Sequence, residues 1–392
     1  MQYRFSDRMR HVPESFLERL FLVSKDPGTI SFAGGLPSSI AIDSPGLARA
    51  AAEVLEEDGK AALQYSTTDG YLPLRQYIAD RYRARLDLEV DPSEIQIVNG
   101  SQQCLDLVAK ILLNPGDPVG IESPGYLGAI EAFSFYQPRF CPIPLEDAGP
   151  DPALFEALVK GDKPAFFYGI PNSQNPSGRT YSQGTRQELA AICREHDLLF
   201  YEDDAFGELF FDGRPRLPIK RYIPELGILS GSFSKTIAPG MRIGWICAPP
   251  PVLEKFNIAK QAADLHSNHL CQMILHRYLS ISDLDAHVRG VARMYGEHCR
   301  CMCDCLDDLS FPGLIHTTPE GGIFLMATLP QGLSSMEVFS TGVSRGVAVL
   351  PLVPFHVDGG GHGSIRLNFS SAGEEEIKEG VARLAAVLRD LA

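Results

Sequence analysis

The chain carries a single tryptophan in 392 residues, and no apolar run approaches the roughly 20 residues that a membrane-spanning helix requires. Its opening stretch, MQYRFSDRMRHVPESFLERL, is charged throughout and lacks the apolar core of a secretory signal. Positive charge is also scarce. Against 49 Asp and Glu stand 35 Lys and Arg, for a formal net charge of −14. Such an average field repels a polyanion, so no nucleic-acid partner is expected, while a local basic pocket for a small anion is compatible with it. The G-x-x-x-x-G-K-[ST] order of a Walker loop is missing. No internal repeat and no low-complexity tract interrupts the sequence.

What remains is the composition of an ordinary globular enzyme, 44% hydrophobic and 21% charged. At roughly 100–200 residues per domain, the length suits two or three domains. Nine cysteines without a secretory signal point to a reducing cytoplasm and free thiols. Four of them lie in HCRCMCDC, at Cys299, Cys301, Cys303 and Cys305. A metal site is the tempting reading. The surrounding VRGVARMYGEHCRCMCDCLDDL has helical spacing, however. Residues i and i+2 on a helix point about 200° apart, so four such thiols do not converge on one ion. They are expected to act as small hydrophobes on a packed helix, with no metal bound.

Between Ile95 and Ala248 short apolar, β-rich runs alternate with helical patterns. The expected strands are IQIV, VGIE, RFCPI, AFFYG, LLFYE, GILSG and IGWICA. Segments such as SQQCLDLVAKILL and TRQELAAICREH, with apolar residues three to four apart, fall between them. This alternation predicts an α/β domain with a seven-stranded, mostly parallel sheet covered by helices. A long helical stretch then runs from APPPVLEKF to about Leu309, followed by strand and turn patterns and a closing amphipathic helix, GEEEIKEGVARLAAVLRDL. Those elements predict a smaller α+β unit. A helix is also expected within the first forty residues, ahead of ISFAGGLP.

In an open α/β sheet, ligands bind beyond the carboxyl ends of the strands. Four expected strand ends carry polar groups: NGSQQ, PNSQNPSG, EDDAF and GSFSK. They should share one crevice. Ser101 and Gln102 open a helix whose N-terminus suits a phosphate, although a serine there is more often only a cap. Ser232, Ser234 and Arg242 add two hydroxyls and a guanidinium fork. Lys235 ends an apolar strand and stands beside cations, a setting that lowers an amine's pKa and makes it able to condense with a carbonyl. Glu202, Asp203 and Asp204 follow one another on a strand, so one or two of them can meet the cleft. A phosphate cradle, a nucleophilic lysine and an isolated acid together match what pyridoxal 5′-phosphate needs.

On these residues the chain resembles the fold type I pyridoxal-phosphate-dependent aminotransferases of class I/II, and within them the 2-aminoadipate and aromatic (kynurenine-type) multisubstrate branch. The markers run in family order over nearly the whole length: ISFAGGLP, LQYSTTDGYLPLR, NGSQQCLDL, SPGYLGA, QNPSGRT, EDDAF, GSFSKTIAPGMRIGW and IRLNFS. The resemblance implies an N-terminal arm over residues 1–44, a cofactor-binding domain over 45–285 and a small domain over 286–392, the small domain being completed by the N-terminal part. It implies that Lys235 holds the cofactor as an imine and shuttles a proton, and that Asp203 faces the pyridine nitrogen. Asn175 would donate to the ring 3′-oxygen and Tyr126 would stack on the ring. Ser101, Gln102, Ser232 and Arg242 would bind the phosphate, with Tyr65 reaching in from a second subunit of a homodimer. Arg366 would clamp the substrate carboxylate, supported by Gly35. One departure stands out. The family usually reads D-x-A-Y where this chain has Phe206. Without that phenol, the imine should hold its proton more tightly.

The expected reaction is transamination between an L-amino acid and a 2-oxo acid, with 2-oxoglutarate as acceptor. A β-lyase, decarboxylase or racemase on the same scaffold is the alternative, since fold does not fix reaction. Similar domains also serve as sensors joined to a DNA-binding module, but only about thirty residues precede GGLP, short of a small domain. For the substrate side chain, Arg19 or Lys25 would suit an acid, whereas aromatics around SFYQPRF and Phe355 would suit an apolar group.

Overall fold

The computed structural model of the protein describes residues 3–10 and 28–392. Apart from a 3-10 turn at Asp7–Arg10, the helix expected near the start falls outside the described residues, as do Arg19 and Lys25. The strands in chain order are β1 (Ile30–Ser31), β2 (Ile95–Val98), β3 (Pro118–Ser123), β4 (Arg139–Glu146), β5 (Gly149–Pro150), β6 (Phe166–Gly169), β7 (Leu199–Asp204), β8 (Gly227–Ser232), β9 (Gly244–Cys247), β10 (Ile315–His316), β11 (Phe324–Thr328), β12 (Val347–Ala348), β13 (Leu350–Pro351) and β14 (Ser364–Asn368).

The main sheet has the order β2-β9-β8-β7-β6-β3-β4-β5. All seven expected strands are in it. An eighth, β5, was not expected. It is a two-residue strand folded back antiparallel on the end of β4, too short to show any period. The pairs from β8 through β4 are parallel, and β9 runs against both of its neighbours. β2, β6, β8 and β9 are buried along their whole length. Two-sided burial is why these strands read as unbroken apolar runs and not as alternating ones.

Helices cover both faces. Leu105, Val108, Phe133 and Phe256 of the helices Ser101–Leu112, Leu127–Ser134 and Pro250–Asp264 pack with Ile121, Phe166 and Ile246 of the sheet. Phe155 and Leu189 of Pro152–Asp162 and Gln183–Glu195 pack with Phe167 and Phe200 on the other side. Phe133 is fully buried and meets Phe166 and Tyr168 edge-on at 5.5 Å. Burying such a ring contributes roughly 2–3 kcal/mol.

The stretch up to Leu309 is three helices: Pro250–Asp264, His269–Ile281 and Leu284–Asp308. The last carries the cysteine run. Cys299 and Cys303 are buried in the core, while Cys301 and Cys305 are half-buried against it, so all four pack as small apolar groups. Beyond it, β10-β11-β14-β13 form an antiparallel sheet that packs with the closing helix Glu374–Leu391. The N-terminal segment joins this part of the molecule. β1 pairs in parallel with β12, and Asn368 N donates to Phe32 O at 2.8 Å. One continuous core links Ile97 and Leu229 of the large sheet with Leu325, Ile365 and Leu384 beyond it.

Candidate active site

A cleft of about 350 Å³ opens beyond the carboxyl ends of β2, β3, β6, β7 and β8. Each of the four polar strand ends contributes to it, as expected from a parallel sheet. Ser101, Gln102, Tyr126, Asn175, Asp203, Ser232, Lys235, Arg242, Arg366 and Gly35 all line it. Tyr65 does not. It stands on the surface, 79% exposed, edge-on to His266 at 5.8 Å.

Lys235 ends the turn after β8. Its Nζ donates to Gly35 O at 2.6 Å, which ties the sheet to the N-terminal GGLP loop. Burial pushes its amine down to about 8, and the Arg366 and Arg242 guanidiniums push the same way. A substantial neutral fraction therefore exists near neutral pH, as a nucleophilic amine requires.

Asp203 is 4% exposed at the end of β7. Its two oxygens accept from the Tyr168 hydroxyl at 2.9 Å and from Ser230 Oγ at 3.0 Å. Burial raises it to about 6, against the pull of those two donors, with Asp204 adding to the rise. Only one acid of the triplet enters the cleft. Glu202 points to the opposite face, 3.8 Å from Arg186, and Asp204 accepts from Asn172 at 2.9 Å.

Arg366 lies on β14 and is 4% exposed. It donates to Asn175 Oδ1 at 2.9 Å and to Ala33 O at 2.7 Å, and its guanidinium sits 3.9 Å from the centre of the Phe324 ring. Its Nε has no hydrogen-bond partner among the described residues. Burial holds its pKa down to about 9, with Tyr126 opposing. A buried guanidinium with an unmet donor has the chemistry to pair with a carboxylate.

The helix Ser101–Leu112 begins without a side-chain cap, because Gly100 holds the cap position at φ 76°. Ser101 is thus the first helical residue and not a cap, and it lines the cleft with Gln102 at the positive end of the helix. Arg242 sits against this turn and donates to Asn99 O and Pro239 O at 3.2 Å. A Cβ at Gly100 would stand 2.4 Å from Arg242 Nη2, so only glycine admits the guanidinium there. Ser232 Oγ accepts from Ser234 N at 3.1 Å. The Gln102 side-chain nitrogen donates to Gly128 O at 2.8 Å, and its oxygen accepts from the Tyr126 hydroxyl at 3.5 Å.

Several features escaped the sequence reading. Tyr168 and Ser230 partner Asp203 but look like core strand residues. Phe324 floors Arg366 from a strand with no polar signature. Of the expected aromatics, Phe355 lines the cleft but the SFYQPRF group does not. Tyr136 donates to Asp106 at 2.8 Å, and Phe140 packs on the core behind the sheet. Phe206 does reach the cleft, edge-on to Phe324 at 5.8 Å.

The donor set fits pyridoxal phosphate: an uncapped helix start with Ser101, Ser232 and Arg242 for the phosphate, a buried carboxylate for the ring nitrogen, and an amine between them. Comparison with known proteins points the same way. Residues 38–384 match the family model for aminotransferase class I and II. The chain is 40% identical over 385 residues to a 2-aminoadipate transaminase of Thermus thermophilus, covering 97% of this chain and 95% of that one. It is 36% identical over 392 residues to an aromatic-amino-acid aminotransferase of Thermococcus litoralis, covering 98% and 94%. The structure superposes on the alpha-aminoadipate aminotransferase of Thermus thermophilus, crystallised with N-(5′-phosphopyridoxyl)-L-leucine, with a TM-score of 0.92 at 38% identity, covering 99% and 97%. Among the described residues no helix is long and apolar enough to cross a membrane. The chain therefore belongs to the class I and II aminotransferases, and is a pyridoxal-phosphate-dependent enzyme of fold type I that transfers an amino group between an amino acid and a 2-oxo acid.

Proposed function

We propose that the enzyme is a multisubstrate L-amino-acid aminotransferase with 2-oxoglutarate as acceptor, working as a homodimer in the cytoplasm. The observation that carries the reading is the convergence of Lys235, Asp203 and Arg366 on one cleft, with the amine's pKa lowered to about 8. When bound, pyridoxal phosphate supplies an electron sink for the charge left at the substrate Cα.

The chain's own residues do the rest. Arg366, with its unmet Nε, binds the substrate carboxylate and orients the Cα–H bond toward the lysine. Lys235 Nζ takes the Cα proton as general base and later returns it as general acid. Asp203 stays ionised against the cofactor's ring nitrogen, steadied by Tyr168 and Ser230. Asn175, whose amide oxygen is held by Arg366, has its NH₂ left to donate to the ring 3′-oxygen. Tyr126 covers the ring, and the helix start with Ser101, Gln102, Ser232 and Arg242 holds the phosphate. Gly35 offers its carbonyl at the mouth.

The described cations of the cleft are Lys235, Arg242 and Arg366, and each has its assignment. The remaining wall, with Leu36, Leu127, Ile170, Phe324 and Phe355, supports aromatic and aliphatic donors. The two relatives are named for 2-aminoadipate and for aromatic amino acids. The dimer is supported by Tyr65, Ile40, Leu63 and Leu72, large apolar residues that this chain leaves exposed. The compartment is supported by nine free cysteines. A donor panel of phenylalanine, leucine, kynurenine and 2-aminoadipate against the holoenzyme tests the reading. Product 2-oxo acid should form in proportion to added 2-oxoglutarate, fastest with apolar donors. Oxo-acid release beyond one equivalent per active site without an acceptor would refute transamination.

A further inference from the structure

Glu122 is 1% exposed near the end of β3, beneath the cleft and not on its wall. Its carboxylate gathers three donors. Oε1 accepts from Ile170 N at 3.0 Å and from the Tyr181 hydroxyl, and Oε2 accepts from Gln174 Nε2 at 3.0 Å. The Gln174 amide then reaches in two directions. Its nitrogen also donates to Pro124 O at 2.8 Å, and its oxygen accepts from Ser177 N at 2.9 Å and Ser177 Oγ at 2.7 Å. Pro124 lies two residues before Tyr126, and Gln174 one before Asn175. One buried carboxylate thus joins the exits of β3 and β6 and the loop between Gln174 and Gly178. Burial raises it to about 7, while Tyr181, Ile170 and Gln174 pull the other way.

We propose that Glu122 is a positioning residue of the active site, clasping the Pro124–Tyr126 turn to the Gln174–Asn175 loop through Gln174 and so fixing Tyr126 and Asn175 relative to each other. The inference rests on the cofactor roles proposed above for those two residues. All its described partners donate, so both of its oxygens serve as acceptors. An amide at this position keeps the shape but turns an N–H₂ toward a donor on one side, and a buried mismatch of that kind is not tolerated quietly.

The test uses Glu122→Gln, Gln174→Met and their double variant, each prepared as apoprotein and reconstituted. The readouts are the cofactor dissociation constant by fluorescence, the visible circular dichroism of bound cofactor, and KM separately from kcat. Each single variant should weaken cofactor binding about tenfold and reduce the dichroic band, and the double variant should be no worse than either single one. Gln174→Met keeps the test available should Glu122→Gln fail to fold. A wild-type dissociation constant and band, with only the melting temperature lowered, would overturn the proposal and leave Glu122 a core residue. Additive losses in the double variant would overturn it as well. Asn175→Ala separates the two levels. If it binds cofactor as wild type does, the role given to Asn175 is wrong. If it binds poorly while Glu122→Gln binds normally, only the positioning role is wrong.

Discussion

Replacing Tyr168 by phenylalanine removes one oxygen atom and little else. The ring keeps its edge contacts with Phe133 at 5.5 Å and Tyr201 at 5.3 Å, so the fold should survive. What is lost is the 2.9 Å donor to Asp203, leaving Ser230 alone to steady a carboxylate already raised to about 6. A hydrogen bond to a charged group is worth about 1.5–3 kcal/mol, or roughly one to two pH units of titration. Asp203 should then titrate near 7 to 8 in the apoprotein. At pH 7.5 its ionised fraction falls from roughly 97% to between roughly 24% and 76%. The partner proposed for it, the pyridine nitrogen, would need that negative charge. The assay is cofactor affinity of the apoprotein from pH 5 to 8, read by fluorescence. The wild type should gain affinity as pH rises through about 6, and Tyr168→Phe should show the same limb displaced upward by about one to two units. An acid limb at the same pH in both proteins would refute the assignment of Asp203 to the cofactor ring.

Other substitutions probe the remaining walls. Gly100→Ala places a Cβ 2.4 Å from Arg242 Nη2 at a φ of 76°, so the cofactor dissociation constant should rise about tenfold or more while the melting temperature falls modestly. Lys235 in the apoprotein should react with an amine-directed reagent with a midpoint near pH 8. Arg366→Met should move that midpoint up, since one of the two cations that favour the neutral amine is gone. The same lysine makes the apoprotein less stable as pH falls from its unfolded value of about 10.5 through 8, because the fold binds that proton poorly. Phe206→Tyr should lower the pKa of the cofactor imine in a spectral titration, and an unchanged or higher value would contradict the role given to the missing phenol.

Much of this architecture was legible before any coordinates, and for a physical reason. Strands buried on both faces, such as FFYG and GILSGS, are mostly apolar, so their ends are announced by the cluster of polar groups that follows. That rule found Asn175, Asp203, Ser232 and Lys235. It failed where a polar group hides inside a strand. Tyr168, Ser230 and Glu122 sit where burial is complete, and only their partners, distant in sequence, explain them. For Gln102, expected to bind the phosphate, the side-chain amide donates to the Gly128 carbonyl while the residue lines the cleft at the start of its helix. The two-residue β5 carries no period to read.

The guanidinium of Arg366 is held by the carbonyl of Ala33, 333 positions earlier in the chain. A ribosome delivers those two residues at very different times. Until the C-terminal sheet has emerged and closed on the N-terminal segment, the cleft lacks its buried guanidinium, and the core shared by the two sheets is incomplete. The cleft is therefore completed only when the two ends of the chain meet.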